Sequence, residues 1–465
     1  MRIPLTSSTR HLVATRIWEI RLRRRPRARA ALGALRAQQW WSPEKLASLQ
    51  SRRLQTLIEH AYANVPYYRR VMSERGVRPA HIRSAADLPL LPLLTKDVIR
   101  DNLGELRAER GVDRPHLIQA NHTGGSTGTP LDFYQDQAYR DWGSMELIRN
   151  YEMCGYRLGD PIAFVWGSDY DARTHATVRG RLRNALDNTL YLDAFDSSER
   201  DFVNWAKQLA AFRPRLLVGY ATSLALLARV VETYGLPSVR PGAIQSSAEV
   251  LTEAQRSLLQ RTFHCEVFDR YGCREVGNIA HECNAHAGLH VLTDNNALEL
   301  LHEGRAALPS ETADIVVTNL HNRAMPFIRY VNGDLAVATD ERCTCGRGLA
   351  LIRAVVGRSA DIIVAPSGKL LHGEFFSHLF YKVPTVKEFQ VVQRTPTLLE
   401  VNLVPGPEFD QSETLTFLRR VIQQYGDPAF DVQFVLADSI RRSASGKFRF
   451  TISEVPVQIG AQGVQ

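Results

Sequence analysis

Apolar positions recur along this chain in two rhythms. The short runs Pro161-Ile-Ala-Phe-Val-Trp166, Arg215-Leu-Leu-Val-Gly219, Ala243-Ile-Gln-Ser246 and Glu266-Val-Phe-Asp269 predict buried strands. Between them, residues 202–212, 223–234 and 252–262 carry apolar side chains at the helical period and predict helices. Strands alternating with helices predict an α/β fold, a parallel sheet covered on both faces, with ligands at the carboxyl ends of the strands. Ahead of this region, Trp41-Ser42-Pro43-Glu44 predicts a helix start, with Ser42 as cap, Pro43 at the first helical position and an acid in the first turn. Beyond residue 300, residues 315–318, 326–330 and 335–338 predict short strands. In the tail, residues 389–393, 398–403 and 432–436 predict strands, and 412–425 a helix, together a small α+β unit.

Charge divides the chain unevenly. The net charge is +8, but residues 1–40 hold ten Arg, no Lys and the single acid Glu19, a local +9. The rest therefore sums to 8 − 9 = −1, which argues against a nucleic-acid protein. Trp18, Ile20 and Leu22 are interleaved with the arginines, so the segment reads as a solvated basic arm or as a surface for an anionic membrane or an acidic partner. No apolar run approaches the roughly 20 residues that span a bilayer, and no apolar leader opens the chain. The expectation is a cytoplasmic protein, peripheral to a membrane if the arm docks there. Oligomeric state, monomer or homodimer, stays open.

Two clusters carry chemistry. His122-Thr-Gly-Gly-Ser-Thr-Gly-Thr-Pro130 places three glycines among hydroxyls, a composition that serves equally a flexible turn and a phosphate loop. It lacks the Lys that follows the last glycine in phosphate-binding NTPases, having Thr129 there. The six cysteines include the pair Cys343-Thr-Cys345, and Cys283 lies among His281, His286 and His290. Zinc wants four such ligands, but the usual Cys-x-x-Cys spacing is missing, so a structural zinc site and unmetallated buried thiols both stay open.

The order of the segments is more informative than any one of them. The glycine loop, Tyr271-Gly272-x-x-Glu275, Tyr330-x-x-Gly333-Asp334, Gly357-Arg358 and Ser445-Gly446-Lys447 follow one another as in the adenylate-forming ligase superfamily. The chain resembles most the phenylacetate-CoA ligase family and its capsule-biosynthesis relatives. Shared features include Leu54-x-x-Leu57-x-x-His60-Ala61, Asn64-Val-Pro-Tyr-Tyr68 and Glu282-Cys283 before Gly288-Leu-His290. The resemblance spans about residues 41–455.

It implies a large N-terminal domain of several subdomains over 41–356, a small mobile C-terminal lid over 357–465, and a basic arm over 1–40. It also implies ATP-dependent activation of a carboxylic acid to an acyl-adenylate, followed by transfer to coenzyme A. Thr123, Gly124, Gly125, Ser126, Thr127 and Gly128 would wrap the phosphates. Glu275 would hold Mg²⁺ and Asp334 the ribose hydroxyls, while Arg358 would reach the ribose region. Ala248, Glu249, Tyr271 and Gly272 would line the adenine slot, and Lys447 would reach the carboxylate and α-phosphate. Cys283, His290, Cys343 and Cys345 match a zinc-binding set of some relatives, one that ties loops and leaves no open position. The acyl pocket is expected at Phe164, Trp166, Gly167, Val218, Gly219 and Tyr220, an aromatic lining suited to an aryl acid.

Departures temper this expectation. Thr129 replaces a common Lys, Ala360 replaces the acidic hinge residue, and Arg274 stands where a Thr is usual. An Arg beside the α-phosphate would restore the missing cation. Acceptors other than coenzyme A, such as an amine, a sugar or a cofactor receiving an acyl or adenylyl group, stay open, as does a catalytically silent scaffold.

Overall fold

The structure is a computed structural model. It describes the chain outside residues 1–6, 123–130, 167–176, 195–198, 238, 359–361, 368–369, 373–375, 377–378, 381–382, 384, 407, 441–450 and 456–465. The fold is mixed α/β, with a large N-terminal region and a separate C-terminal unit.

Its centre is an eight-stranded sheet in the order Leu351–Ile352, Leu289–Val291, Gly277–Glu282, Glu266–Cys273, Ala243–Ser247, Leu216–Tyr220, Ile162–Trp166 and Thr189–Asp193. The five strands from Glu266–Cys273 to Thr189–Asp193 are parallel, and the other three are antiparallel. Successive side chains of a strand point to opposite faces, and the apolar runs use both. Ala163, Val165, Leu217, Ile244 and Val267 meet the helices Glu199–Phe212, Ala221–Thr233 and Glu253–Phe263. Ile162, Leu216, Val218, Ala243 and Phe268 meet Tyr151 and Cys154 on the other side. The last of the three helices starts where the sequence dictates: Thr252 Oγ1 accepts from Gln255 N while Gln255 Oε1 accepts from Thr252 N.

A second, antiparallel sheet orders Arg305–Ala306, Asn296–His302, Thr312–Asn319, Tyr330–Val337 and Ala354–Arg358. It shares one core with the helix Pro43–Asn64, whose Leu54, Leu57 and Ile58 are fully buried. As expected, Ser42 caps that helix, accepting from Lys45 N at 3.3 Å. The strand predicted over 326–330 does not form. Pro326 has no N–H to give a ladder and Arg329 takes a left-handed φ of +56°, so the segment turns and the strand begins at Tyr330. The predicted 335–338 strand is the end of that same element.

In the C-terminal unit the order is Asp431–Leu436, Leu398–Pro405, Val386–Gln393 and Thr451–Ser453, with the helix Gln411–Val421 closing a separate core that includes Phe376, Phe389, Leu399 and Leu418. That helix is shorter than the predicted 412–425, because residues Ile422–Gly426 widen into a π turn.

The basic segment is helical. Ser7–Arg24 and Pro26–Gln38 are joined at Arg25. The second buries Ala28, Ala31, Leu32 and Leu35 against Met145 and Ile148 of the helix Gln137–Met153, and Trp18 and Leu22 of the first lean on the same cluster. The acids this segment meets belong to the chain itself: Arg21 pairs with Asp187, Arg25 with Asp141, Arg27 with Asp113, Arg36 with Glu152, and His11 with Asp160. No helix among the described residues is long and apolar enough to cross a membrane.

Candidate functional site

The parallel strands end at Asp193, Trp166, Tyr220, Ser247 and Cys273, on one edge of the central sheet. The second sheet meets that edge through Tyr330–Val337, and the meeting is polar. Tyr271 Oη donates to Asp334 Oδ2 at 2.7 Å. Asn332 Nδ2 approaches the same Asp334 oxygen at 3.1 Å and Tyr271 Oη at 2.6 Å, while Asp334 N donates to Asn332 Oδ1. Beside them Tyr330 Oη donates to Glu275 Oε1 at 2.8 Å. Asp334 and Glu275 are buried, at 7% and 6% exposure, so both carboxylates depend on these donors in place of water. Burial first, then the Asp334 carboxylate, holds the Tyr271 phenol far above its ordinary range; burial and Glu275 do the same for Tyr330. Both phenols therefore stay protonated and keep donating. Cys273, between them, is kept a thiol by burial and by Glu275.

Gly272 is required where it stands, since a Cβ there would lie 2.4 Å from the carbonyl oxygen of Gly277. Ala248, just past Ser247, takes a φ of +68°, which lets the chain turn away from the strand end beside half-buried Glu249. The glycine loop 123–130, with Thr123, Gly124, Gly125, Ser126, Thr127, Gly128 and Thr129, lies outside the described residues. Its approach is fixed: the strands Gln119–His122 and Asp132–Gln135 pair, and exposed Arg274 donates to the carbonyl of His122 at 3.3 Å. Gln135 Nε2 donates to the Arg274 carbonyl at 3.1 Å. The loop thus springs from a hairpin stitched to the segment that carries Glu275. Lys447 and Ala360 also lie outside the described residues, and of Arg358 only the backbone is described, paired with Asp334.

The residues expected to line an acyl pocket divide by strand periodicity. Trp166 and Tyr220 stack at the edge, ring centroids 4.3 Å apart and 26° from parallel. Gly219 admits the Val165 carbonyl and the Leu224 side chain, both of which a Cβ would crowd. Phe164 and Val218 turn under the sheet into the cluster with Tyr151. Gly167 lies outside the described residues.

Sequence reasoning missed what stands behind this edge. Arg270, opposite Ser247, donates to Ser247 Oγ at 2.8 Å and to Asn278 Oδ1 at 2.6 Å. Deeper still, fully buried Arg149 sits 2.5 Å from Asp294 and 3.5 Å from Glu146, and Asn295 donates to Glu146. Because Arg149 is committed to Asp294, burial prevails and pushes the Glu146 carboxyl up to about 8. Tyr330 and Asn332 were within reach of the sequence, as members of the motif that ends in Asp334. The Glu146, Arg149 and Asp294 set had no motif to announce it.

A second centre lies at the far edge of the central sheet. The ligand atoms of Cys283, His290, Cys343 and Cys345 all lie within 4.8 Å of one another. Cys283 Sγ is 3.5 Å from Cys343 Sγ, and Cys345 Sγ is 3.3 Å from His290 Nε2. His290 Nδ1 faces the Leu349 carbonyl at 3.4 Å, which leaves Nε2 for the cluster. The two other candidate histidines are engaged elsewhere: His281 with the Glu282 carbonyl and Gln245, His286 with Glu266 and Glu282.

Comparison with known proteins places these features in context. Residues 363–454 match the family described as CapK C-terminal domain. The chain is 27% identical to phenylacetate-coenzyme A ligase of Thermus thermophilus over 77% of its own length and 81% of that protein's. It is 22% identical to protein CapK of Staphylococcus aureus, over 88% and 90%. Its fold is that of the crystal structure of 2-hydroxyisobutyryl-CoA ligase in the postadenylation state in complex with R3-HIB-AMP, with a TM-score of 0.67, 18% identity, and 87% and 89% coverage.

Proposed function

We propose that this chain, related in sequence to the phenylacetate-coenzyme A ligases and to CapK and sharing the adenylate-forming ligase fold, is an AMP-forming acid–CoA ligase. A carboxylate oxygen of the acid attacks the α-phosphorus of ATP, and the bond to pyrophosphate breaks. The thiol of coenzyme A then adds to the acyl carbon and AMP leaves. The observation that carries this reading is the meeting of Tyr271, Asn332 and Asp334 with Tyr330 and Glu275 at the carboxyl edge of a parallel sheet.

In this reading Asp334, held by two donors, takes the ribose hydroxyls, and Arg358 from the neighbouring strand reaches the same ribose. Tyr271, Gly272, Ala248 and Glu249 bound the adenine. Residues 123–128 present backbone N–H groups and hydroxyls to the phosphates. Glu275 would hold a magnesium ion, which supplies positive charge to the phosphate oxygens when bound. Arg274 adds a forked cation where Thr129 gives none. Lys447 brings the charge that draws the two anions together. The stacked Trp166 and Tyr220 offer a flat apolar wall for an aromatic acid, with Gly167 and Gly219 leaving it room.

The cysteine centre fits one structural zinc ion, held by three thiolates and one imidazole whose other nitrogen faces a carbonyl. With four protein ligands it takes no part in the chemistry.

The test is to supply the purified chain with ATP, Mg²⁺ and a panel of aromatic and aliphatic acids, with and without coenzyme A. Pyrophosphate release that depends on the acid, with AMP turnover that depends on the thiol, is the expected result. Sustained AMP turnover without the thiol overturns the coenzyme A half. Absence of any acid-dependent pyrophosphate, or indifference of that release to Lys447→Ala, overturns the whole reading.

A further inference from the structure

We infer that the helices Ser7–Arg24 and Val178–Leu186 together form a docking platform for an anionic lipid bilayer. The two are about 150 residues apart in sequence but adjacent in space, locked by Arg21, which pairs at 2.5 Å with Asp187, the residue that ends the second helix.

Folding has already taken the side chains that an amphipathic arm would first be expected to offer. Trp18 and Leu22 lean inward on the cluster with Ala28 and Leu32. What remains outside is a different set. On the first helix Leu12, Arg16, Ile20 and Arg24 succeed one another at four-residue intervals, one stripe of a helix, and all four are exposed. Leu12 is 64% exposed and Ile20 48%. On the second, Val178 and Leu182 repeat the spacing and are 85% and 55% exposed.

Cations surround these aliphatic side chains. Residues 7–24 hold five Arg against Glu19, which is 5 − 1 = +4, and residues 178–186 add three Arg and no acid. Arg23, Arg24, Arg179 and Arg181 are exposed and make no ion pair among the described residues, so their charge is free to act outward. A nucleic acid would use the cations but has no need of four bare aliphatic side chains set among them. An interface of phospholipid headgroups uses both, the charges meeting phosphate and serine carboxylate and the aliphatics entering the acyl boundary.

The platform is tested by flotation of the full chain with vesicles of phosphatidylcholine containing about a third phosphatidylserine, against phosphatidylcholine alone. The expected result is binding to the first only, weakened as salt rises. The double variants Arg23→Ala/Arg24→Ala and Arg179→Ala/Arg181→Ala should each lower vesicle affinity about thirty-fold, from roughly 1 kcal/mol per cation. Leu12→Ser/Leu182→Ser should lower it without changing the salt dependence. Melting curves matching the parent confirm that these exposed positions leave folding intact. Failure to float with the anionic vesicles overturns the proposal. So does binding indifferent to the Arg179/Arg181 variant or to the Leu12/Leu182 variant, either of which reduces the surface to a basic tail. Displacement of the chain from vesicles by a short DNA duplex at equal phosphate concentration overturns it in favour of a nucleic acid.

Discussion

The phenol of Tyr271, at the end of a central-sheet strand, donates to the carboxylate of Asp334 on the neighbouring sheet at 2.7 Å. This bond joins the two sheets at the place where nucleotide recognition is proposed. It also orients a carboxylate whose surroundings offer little water. Tyr271→Phe removes the donor while keeping the ring. A hydrogen bond to a charged acceptor contributes roughly 1.5 kcal/mol, so KM for ATP should rise about tenfold with kcat little changed. Steady-state kinetics with ATP as the varied substrate checks this; an unchanged KM removes Asp334 from ribose binding.

Tyr330 stands in the same relation to Glu275, at 2.8 Å. In Tyr330→Phe the carboxylate loses its fixed donor and its direction. Pyrophosphate release measured across a magnesium titration should then need about tenfold more Mg²⁺ for half-saturation. KM for the acid should stay close to the parent value, because the Tyr330 hydroxyl is engaged with Glu275.

Metal content gives a third test. The purified chain should hold one zinc per molecule by elemental analysis. Cys343→Ser should lose that zinc and lower the melting temperature by about 4–8 °C, taking a loss of roughly 2 kcal/mol and about 2–4 °C per kcal/mol. Its adenylation rate at low temperature should persist, since the cluster touches no proposed substrate group.

The buried carboxyl of Glu146 makes stability depend on pH. Its folded value is about 8, above the ordinary 4.5, because burial outweighs Arg149, and Asp294 adds to the shift while Arg270 opposes it. A raised carboxyl contributes its full stability below about 4.5 and loses it as pH climbs through about 8. Melting temperature should therefore fall between the ordinary carboxyl value of 4.5 and about 8. Glu146→Gln, neutral at every pH and similar in shape, should flatten that fall; an equally steep decline in the variant assigns it to another group.

Much of this arrangement was legible in the chain. Apolar runs such as Ile162–Trp166 and Leu216–Tyr220 announced parallel strands because both faces of such a sheet are buried. Tyr271 bonds Asp334, and Tyr330 of the same strand as Asp334 bonds Glu275; the nucleotide roles that the resemblance gives these residues stay proposals. His290 was chosen from three histidines by resemblance; the structure groups it with the three cysteines, while His281 and His286 meet partners elsewhere. The segment 326–330 misled because apolar content speaks louder in a window than one proline and one left-handed residue. The N-terminal helices were hidden for a different reason. They pack through Ala28, Leu32 and Leu35 onto Met145 and Ile148 and pair with Asp113, Asp141, Glu152 and Asp187, all far from them in sequence.

Cys283 and Cys343 are separated by 60 positions along the chain, yet their sulfurs are 3.5 Å apart. Most of the second sheet lies in the loop between them, and holding the ends of so long a loop together costs entropy that the packed sheets help to offset. Were the proposed zinc ion bound there, it would clasp two segments 60 positions apart, and a chain made without zinc should then open more easily at this seam.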